Sequence, residues 1–109
     1  MPLRANHEAH QTEMLPGVWR RTLNAGDRTM LCEITIAEGA EVPDHTHPHE
    51  QIGYLVSGRM EFWLGDEHRL LQPGDSWLVP SNVPHRVRAL DRVVAIDIFS
   101  PPREEYRDQ

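Results

Sequence analysis

From Pro16 onward the aromatic and β-branched residues of this chain come in runs of five to nine, cut by Gly, Pro, Asn and Asp. No helical apolar period lasts long enough for a core helix. This punctuation is the signature of strands and turns. It predicts strands over 17–23, 28–36, 51–57, 59–64, 67–71, 76–80, 84–90 and 92–99. Eight short strands in about 85 residues specify an all-β fold, an antiparallel sandwich or barrel. Met60, Phe62 and Leu64 alternate with Glu61 and Trp63, and Met30, Cys32, Ile34 and Ile36 alternate with Glu33 and Thr35. Each pattern marks a half-buried strand. The segment 92–99 differs: Val93, Ala95 and Phe99 share one face, and Val94, Ile96 and Ile98 share the other. A strand apolar on both faces is expected to be covered on both. The expected outer cover is a second copy in a homodimer; the segment 17–23, folded back over the same face, is the competing cover, and the two can coexist.

Residues 1–15 are polar and aperiodic, and are expected to form a mobile N-terminal arm carrying His7 and His10. Residues 16–109 then form a single barrel domain, since 109 residues suffice for one small core. Acidic residues outnumber basic ones 17 to 11, a formal charge of −6, which argues against nucleic acid as a partner. All the basic residues are Arg, so mechanisms that need a lysine base or Schiff base are excluded. Cys32 is the only cysteine, which excludes an intrachain disulfide and a Cys-rich zinc site. No apolar run is long enough for a signal peptide core or a membrane span. The expectation is a soluble, cytoplasmic protein.

His45, His47 and His49 fall within five residues, and His85 lies forty further on. In an extended segment residues two apart project to one face, so His45 and His47 can reach one ion. Gln51 keeps that parity after a bend at Pro48 and offers an amide oxygen. His85 would arrive from a neighbouring strand. The alternative is a solvated loop with histidines clustered by chance. His49 reads as a supporting or surface residue, and His68 as surface. Tyr54, Met60, Phe62 and Trp77 read as core or pocket lining, and Cys32 as a small buried hydrophobe. Asp97 interrupts an apolar strand, which costs energy unless the carboxylate is paired or hydrated. Two readings stay open for it: a group inside the barrel near the metal, or an ion pair with Arg86 or Arg88 at the barrel edge.

The spacing Gly39-(five)-His45-Thr46-His47-(three)-Gln51-(six)-Gly58 resembles the first motif of the cupin family. Gly74-(five)-Pro80-Ser81-Asn82-(two)-His85 resembles the second, and the fifteen residues between them match the short spacing of small bacterial cupins. The resemblance implies an antiparallel cupin barrel (a double-stranded β-helix or jelly roll). Family members often have Glu where Gln51 stands, Gly where Asn82 stands and Asn where Ala89 stands. Asn82 is an acceptable substitute where φ is positive. The segment from Asp97 to Glu104 resembles the closing segment of cupins that process unsaturated uronates from pectin or alginate. That resemblance implies ligands His45, His47, Gln51 and His85, with Asp97 as acid/base, Phe99 as a pocket wall and Arg103 as a carboxylate anchor.

Three imidazoles and an amide leave a divalent ion (Zn, Ni, Mn or Fe) with its full charge, which favours an anionic substrate and Lewis-acid chemistry. The expected function is a metal-dependent, non-redox enzyme on a small acidic sugar or keto/enol compound, with 4,5-unsaturated uronates the first candidates. The alternatives are a dioxygenase on a small diketone or phenolic substrate, and a non-catalytic metal or small-molecule binding module.

Overall fold

A computed structural model describes residues 2–107; Met1, Asp108 and Gln109, assigned above to the arm and the barrel, lie outside the described residues. Ten strands run in chain order: β1 (Gln11–Leu15), β2 (Val18–Ala25), β3 (Met30–Ile36), β4 (Glu41–His45), β5 (Glu50–Ser57), β6 (Met60–Leu64), β7 (Glu67–Leu71), β8 (Ser76–Val79), β9 (His85–Ala89) and β10 (Val93–Ser100). Short 3₁₀ turns occupy Asn6–Glu8 and Glu104–Tyr106. All pairings are antiparallel. They make a six-stranded sheet, β1-β2-β3-β10-β5-β8, facing a four-stranded sheet, β4-β9-β6-β7. Among the described residues no helix is long and apolar enough to cross a membrane.

The alternating residues close the space between the sheets. Val18, Met30, Cys32, Leu55, Met60, Val79 and Val93 are fully buried there. Each large aliphatic among them is worth ~1.5–3 kcal/mol of burial. The β5–β6 turn depends on Gly58 at φ 80, where a Cβ would stand 2.1 Å from the Arg92 carbonyl oxygen. Asn82 takes the left-handed conformation at φ 65, as its place in the second motif requires.

Three expectations are corrected. Residues 11–15 do not belong to an arm outside the barrel: they form β1, paired with β2 from Gln11↔Arg21 to Leu15↔Val18. An edge strand of this kind is held by backbone hydrogen bonds, so its side chains carry little apolar alternation. The turn before it docks as well, through Arg21 to the Ala9 carbonyl and Asn6 to Glu33. Second, the segment 17–23 does not fold over β10. It pairs with β3 in the plane of the same sheet, with Val18 pointing inward. Among the described residues no segment packs over the outer side of β10 as expected: Val94 and Ile96 are half-buried and Ile98 is exposed. Third, Tyr54 is neither core nor pocket lining. It stands on the outer face and is 52% exposed, because Gly53 and Leu55 take the inward positions of β5.

Candidate metal centre and active site

His45 ends β4, His85 begins β9, and the two are cross-strand partners. His47 lies in the loop that leads into β5, and Asn82 donates its backbone N–H to the His47 carbonyl at 2.8 Å, tying the two motifs together. The result is a cluster in which one ring nitrogen from each of His45, His47 and His85 lies within 4.8 Å of the others.

The rings are oriented by backbone carbonyls. Nδ1 of His45 meets the Pro43 oxygen at 2.9 Å, Nδ1 of His47 the His49 oxygen at 3.0 Å, and Nδ1 of His85 the Val83 oxygen at 2.9 Å. Donation from Nδ1 leaves the Nε2 lone pair of each ring for a cation, the usual support of a histidine ligand. Burial pushes the His47 pKa down and that of His85 down to about 4, which keeps both rings neutral near pH 7. Nε2 of His85 is buried with no hydrogen-bond partner. Nε2 of His47 stands 3.0 Å from Oε1 of Gln51. With Nδ1 of His47 committed to a carbonyl, these are two acceptors turned towards one another, an opposition that a cation between them relieves. The donor set, the orphaned nitrogen and this facing pair all fit a divalent ion with nitrogen and oxygen ligands.

Gln51 has a second contact. Its Nε2 donates to Oδ1 of Asp97 at 2.9 Å, and Nε1 of Trp77 donates to the same oxygen at 2.8 Å. Oδ2 of Asp97 is left without a partner among the described residues. Burial raises the Asp97 pKa, opposed by the two hydrogen bonds and by the nearby Arg103 charge. The edge ion pair considered for Asp97 does not form. Arg86 and Arg88 turn outward, 3.9 Å from Glu41 and from Glu61. Trp77 reaches Asp97 because Gly53 lies between them in register, paired with Asp97 on one side and Trp77 on the other. A Cβ on Gly53 would stand 2.1 Å from the indole.

A cavity of about 80 Å³ joins these groups; His45, Gln51, His85, Asp97, Phe99 and Arg103 are all in its wall. By the same measure one water needs ~10–15 Å³, so it admits the reactive end of a small molecule. Phe99 is buried, with its ring edge-on to His47 at 5.8 Å. Arg103 lies 5.2 Å over Phe99 and 4.2 Å over Tyr106, and pairs with Glu105 at 3.1 Å.

His45, Gln51, His85, Asp97, Phe99 and Arg103 thus border one cavity, and His47 joins them through the histidine cluster. His49 supports it through its backbone oxygen. His68 is on the surface, stacked on Trp63 at 4.6 Å. Two contributors escaped the sequence reading. Trp77, expected as lining, is also a hydrogen-bond donor to Asp97. Tyr106, beyond the last strand, has no periodic signal at all. Its backbone oxygen accepts from Thr22 at 2.6 Å, which fixes the C-terminal turn across the end of β2.

Residues 32–99 match the model of a known family, the cupin domain. Among solved structures the chain is similar to KdgF from Halomonas sp., at 35% identity and a TM-score of 0.88 over 94% of each chain. It is also similar to an RmlC-like cupin from Shewanella frigidimarina, at 29% identity and a TM-score of 0.89 over 94% of this chain and 92% of the other. Among curated proteins it resembles dimethylsulfoniopropionate lyase DddQ of Ruegeria pomeroyi, 36% identical over 69 residues, 62% of this chain and 34% of the relative. It also resembles H2HPP isomerase of Bacillus subtilis, 34% identical over 85 residues, 75% of this chain and 36% of the relative. The chain spans about a third of the length of these two curated relatives.

Proposed function

This chain belongs to the cupin family, and on that footing we propose that it is a metal-dependent, non-redox enzyme acting on a small acidic sugar, with a 4,5-unsaturated uronate as substrate and the linear ketouronate as product. The observation that carries this reading is a buried carboxyl, Asp97, sharing one small cavity with His45 and His85 of a cluster of three oriented histidines. The likeness to KdgF over nearly the whole chain supports it, as do the lyase and isomerase names of the curated relatives, both outside redox chemistry.

His45, His47 and His85 would hold the cation, with Oε1 of Gln51 as a fourth donor. When bound, the ion supplies Lewis-acid polarisation of a substrate oxygen. The residues of the chain do the rest. Phe62, Trp77 and Phe99 keep water from the reacting carbons. Arg103 receives the substrate carboxylate. Asp97 handles the protons, its acidity set between burial and two hydrogen bonds. The reaction is an isomerisation. The bond between the ring oxygen and carbon 1 breaks, and the anomeric hydroxyl loses its proton as the aldehyde forms. Carbon 4 gains a proton while the released enol at carbon 5 becomes a ketone. One proton leaves and one arrives, so a single acid/base group suffices. The test is the decay of the double-bond absorbance of an unsaturated uronate, with and without chelator. Chelator-sensitive acceleration over the spontaneous reaction is expected; a metal-loaded protein that leaves the rate unchanged overturns the reading.

We propose in addition that a second copy covers the outer face of the six-stranded sheet. Ile52, Tyr54, Leu78 and Ile98 are exposed there, and cross-strand register makes Ile98, Ile52 and Leu78 neighbours in one row. A self-complementary flat face is closed by two-fold pairing. The chain would then be a homodimer acting on a small anionic molecule.

A further inference from the structure

Arg20 is the most buried charged side chain outside the site described, 3% exposed, and points inward from β2 beside Val18. Its Nη1 lies 3.3 Å from the Met14 sulfur, and its guanidinium carbon sits 4.2 Å over the Tyr106 ring. Among the described residues Nε and Nη2, both buried, have no partner. These two nitrogens form the fork on which a guanidinium takes a carboxylate side-on. The molecule uses that fork elsewhere. Arg59 places Nε and Nη2 on Asp91 at 2.8 and 3.1 Å, and Arg103 places them on Glu105 at 3.4 and 3.1 Å. In Arg20 it is idle. Stacking on an aromatic face leaves the in-plane N–H groups unsatisfied, and a buried cation without a counter-charge is costly.

Among the described residues the neighbours supply no free counter-charge. Burial raises the pKa of Cys32 to about 11 and that of Tyr106 above its ordinary value, so both are neutral near pH 7. Glu105, the remaining acidic group that acts on Arg20, is held by Arg103. Two arginines therefore share one carboxylate around one tyrosine ring. Met14, Val18, Tyr106 and Arg103 all belong to the cavity wall, so Arg20 lies one side chain deep from the space that holds the histidines.

We propose that Arg20 and Arg103 together form a carboxylate site at the Tyr106 end of the cavity, and that the idle fork of Arg20 takes the carboxylate of a small acidic ligand. The proposal rests on the reading of an anionic substrate, and extends it to a residue on β2, far in sequence from both motifs.

Glucuronate and glucuronamide, which differ only in the charged group, serve as probes in equilibrium titrations of the zinc-loaded protein. The native chain is expected to prefer the carboxylate. Arg20→Met should cut that preference by about tenfold or more, the loss expected for a charge-assisted fork, with amide affinity and zinc content unchanged. Arg20→Lys keeps the charge without the fork and should lose part of the preference; it also serves if Arg20→Met does not fold. A native chain with no preference overturns the site. So does a folded Arg20 variant with the full preference, which would make Arg20 a structural cation. Binding is read without turnover, so failure of the uronate assay beside an intact, Arg20-dependent preference rejects the substrate and leaves this site standing.

Discussion

The two sheets of the barrel are built to different specifications on both of their faces. Inward, β4 and β9 of the four-stranded sheet bring His45 and His85, while β5, β8 and β10 of the six-stranded sheet bring Gln51, Trp77 and Asp97. Outward, the four-stranded sheet is dressed for water. Arg86 covers Trp63 at 3.9 Å and lies near Glu41, while Glu61 pairs with His68 at 3.0 Å and lies near Arg88. Leu70 is its one exposed large aliphatic among the described residues; the six-stranded sheet exposes Ile52, Val56, Leu78 and Ile98. On the proposed reading the four-stranded sheet carries two of the ligands, His45 and His85, and a charged exterior. On the same reading the six-stranded sheet carries the fourth donor, Gln51, the acid/base group Asp97 and an exterior suited to contact with a second copy. Such a division separates tasks that would interfere: the charges on the exterior of one sheet stay away from the apolar outer face of the other.

The largest expected effect breaks the inward half of this contrast. His47→Ala combined with His85→Ala should abolish metal binding while far-UV circular dichroism stays strand-like, because the loss is confined to ligands. Elemental analysis of protein purified without chelator checks it, and a full metal complement in the double variant would reject the assignment. Next, Asp97→Asn should keep the metal and lower turnover of an unsaturated uronate by ~10²–10⁴-fold, the range for a positioned acid/base group. Near-normal turnover would reduce Asp97 to a structural residue and erase the division of chemistry between the sheets.

The outward half is tested by charge. Ile98→Glu should shift the sedimenting species from twice 12.6 kDa to 12.6 kDa at micromolar concentration, whereas Leu70→Glu on the opposite sheet should leave it unchanged. Equal behaviour of the two variants would mean that the exteriors do not differ in role. The smallest effect concerns Cys32, on the core side of β3. Its thiol pKa is raised by burial from 9.0 to about 11, so the unfolded chain ionises first as pH rises. The contribution to stability is complete below pH 9 and is lost as pH climbs through about 11, by roughly 2–3 kcal/mol. Denaturant unfolding of the native chain and Cys32→Ala across that window should show a steeper decline for the native chain; parallel curves would remove the effect.

The eight strands with apolar runs were legible in the sequence, and so were the motif residues that meet at the cavity, because both rest on local alternation and spacing. The strands that were not legible are the polar ones. Gln11–Leu15 and Glu41–His45 sit at sheet edges, where backbone pairing holds a strand without help from its side chains. The latter even contains Pro43 and pairs with β9 through a shift in register between Val42 and His45. Tyr54 faces outward because parity along β5, not aromatic character, sets which side chains enter the barrel. The bond from Trp77 to Asp97 depends on which residues stand side by side across three strands, and that register appears only when β5, β8 and β10 are assembled. Arg20 carried a usable signal: two residues from Val18 on a strand, it shares the inward face.

Gly53 has a consequence for how this protein tolerates change. The substitution of glycine by alanine in a strand is ordinarily mild and often favourable. Here the added methyl would occupy the place of the Trp77 indole and force it off Asp97. The loss would fall on a hydrogen bond between two other residues, twenty positions apart in the chain. A lineage or a variant library exploring this barrel would therefore meet one of its narrowest constraints at a position with no side chain. New chemistry at this carboxyl would require changes at 53 and 77 together, rather than one at a time.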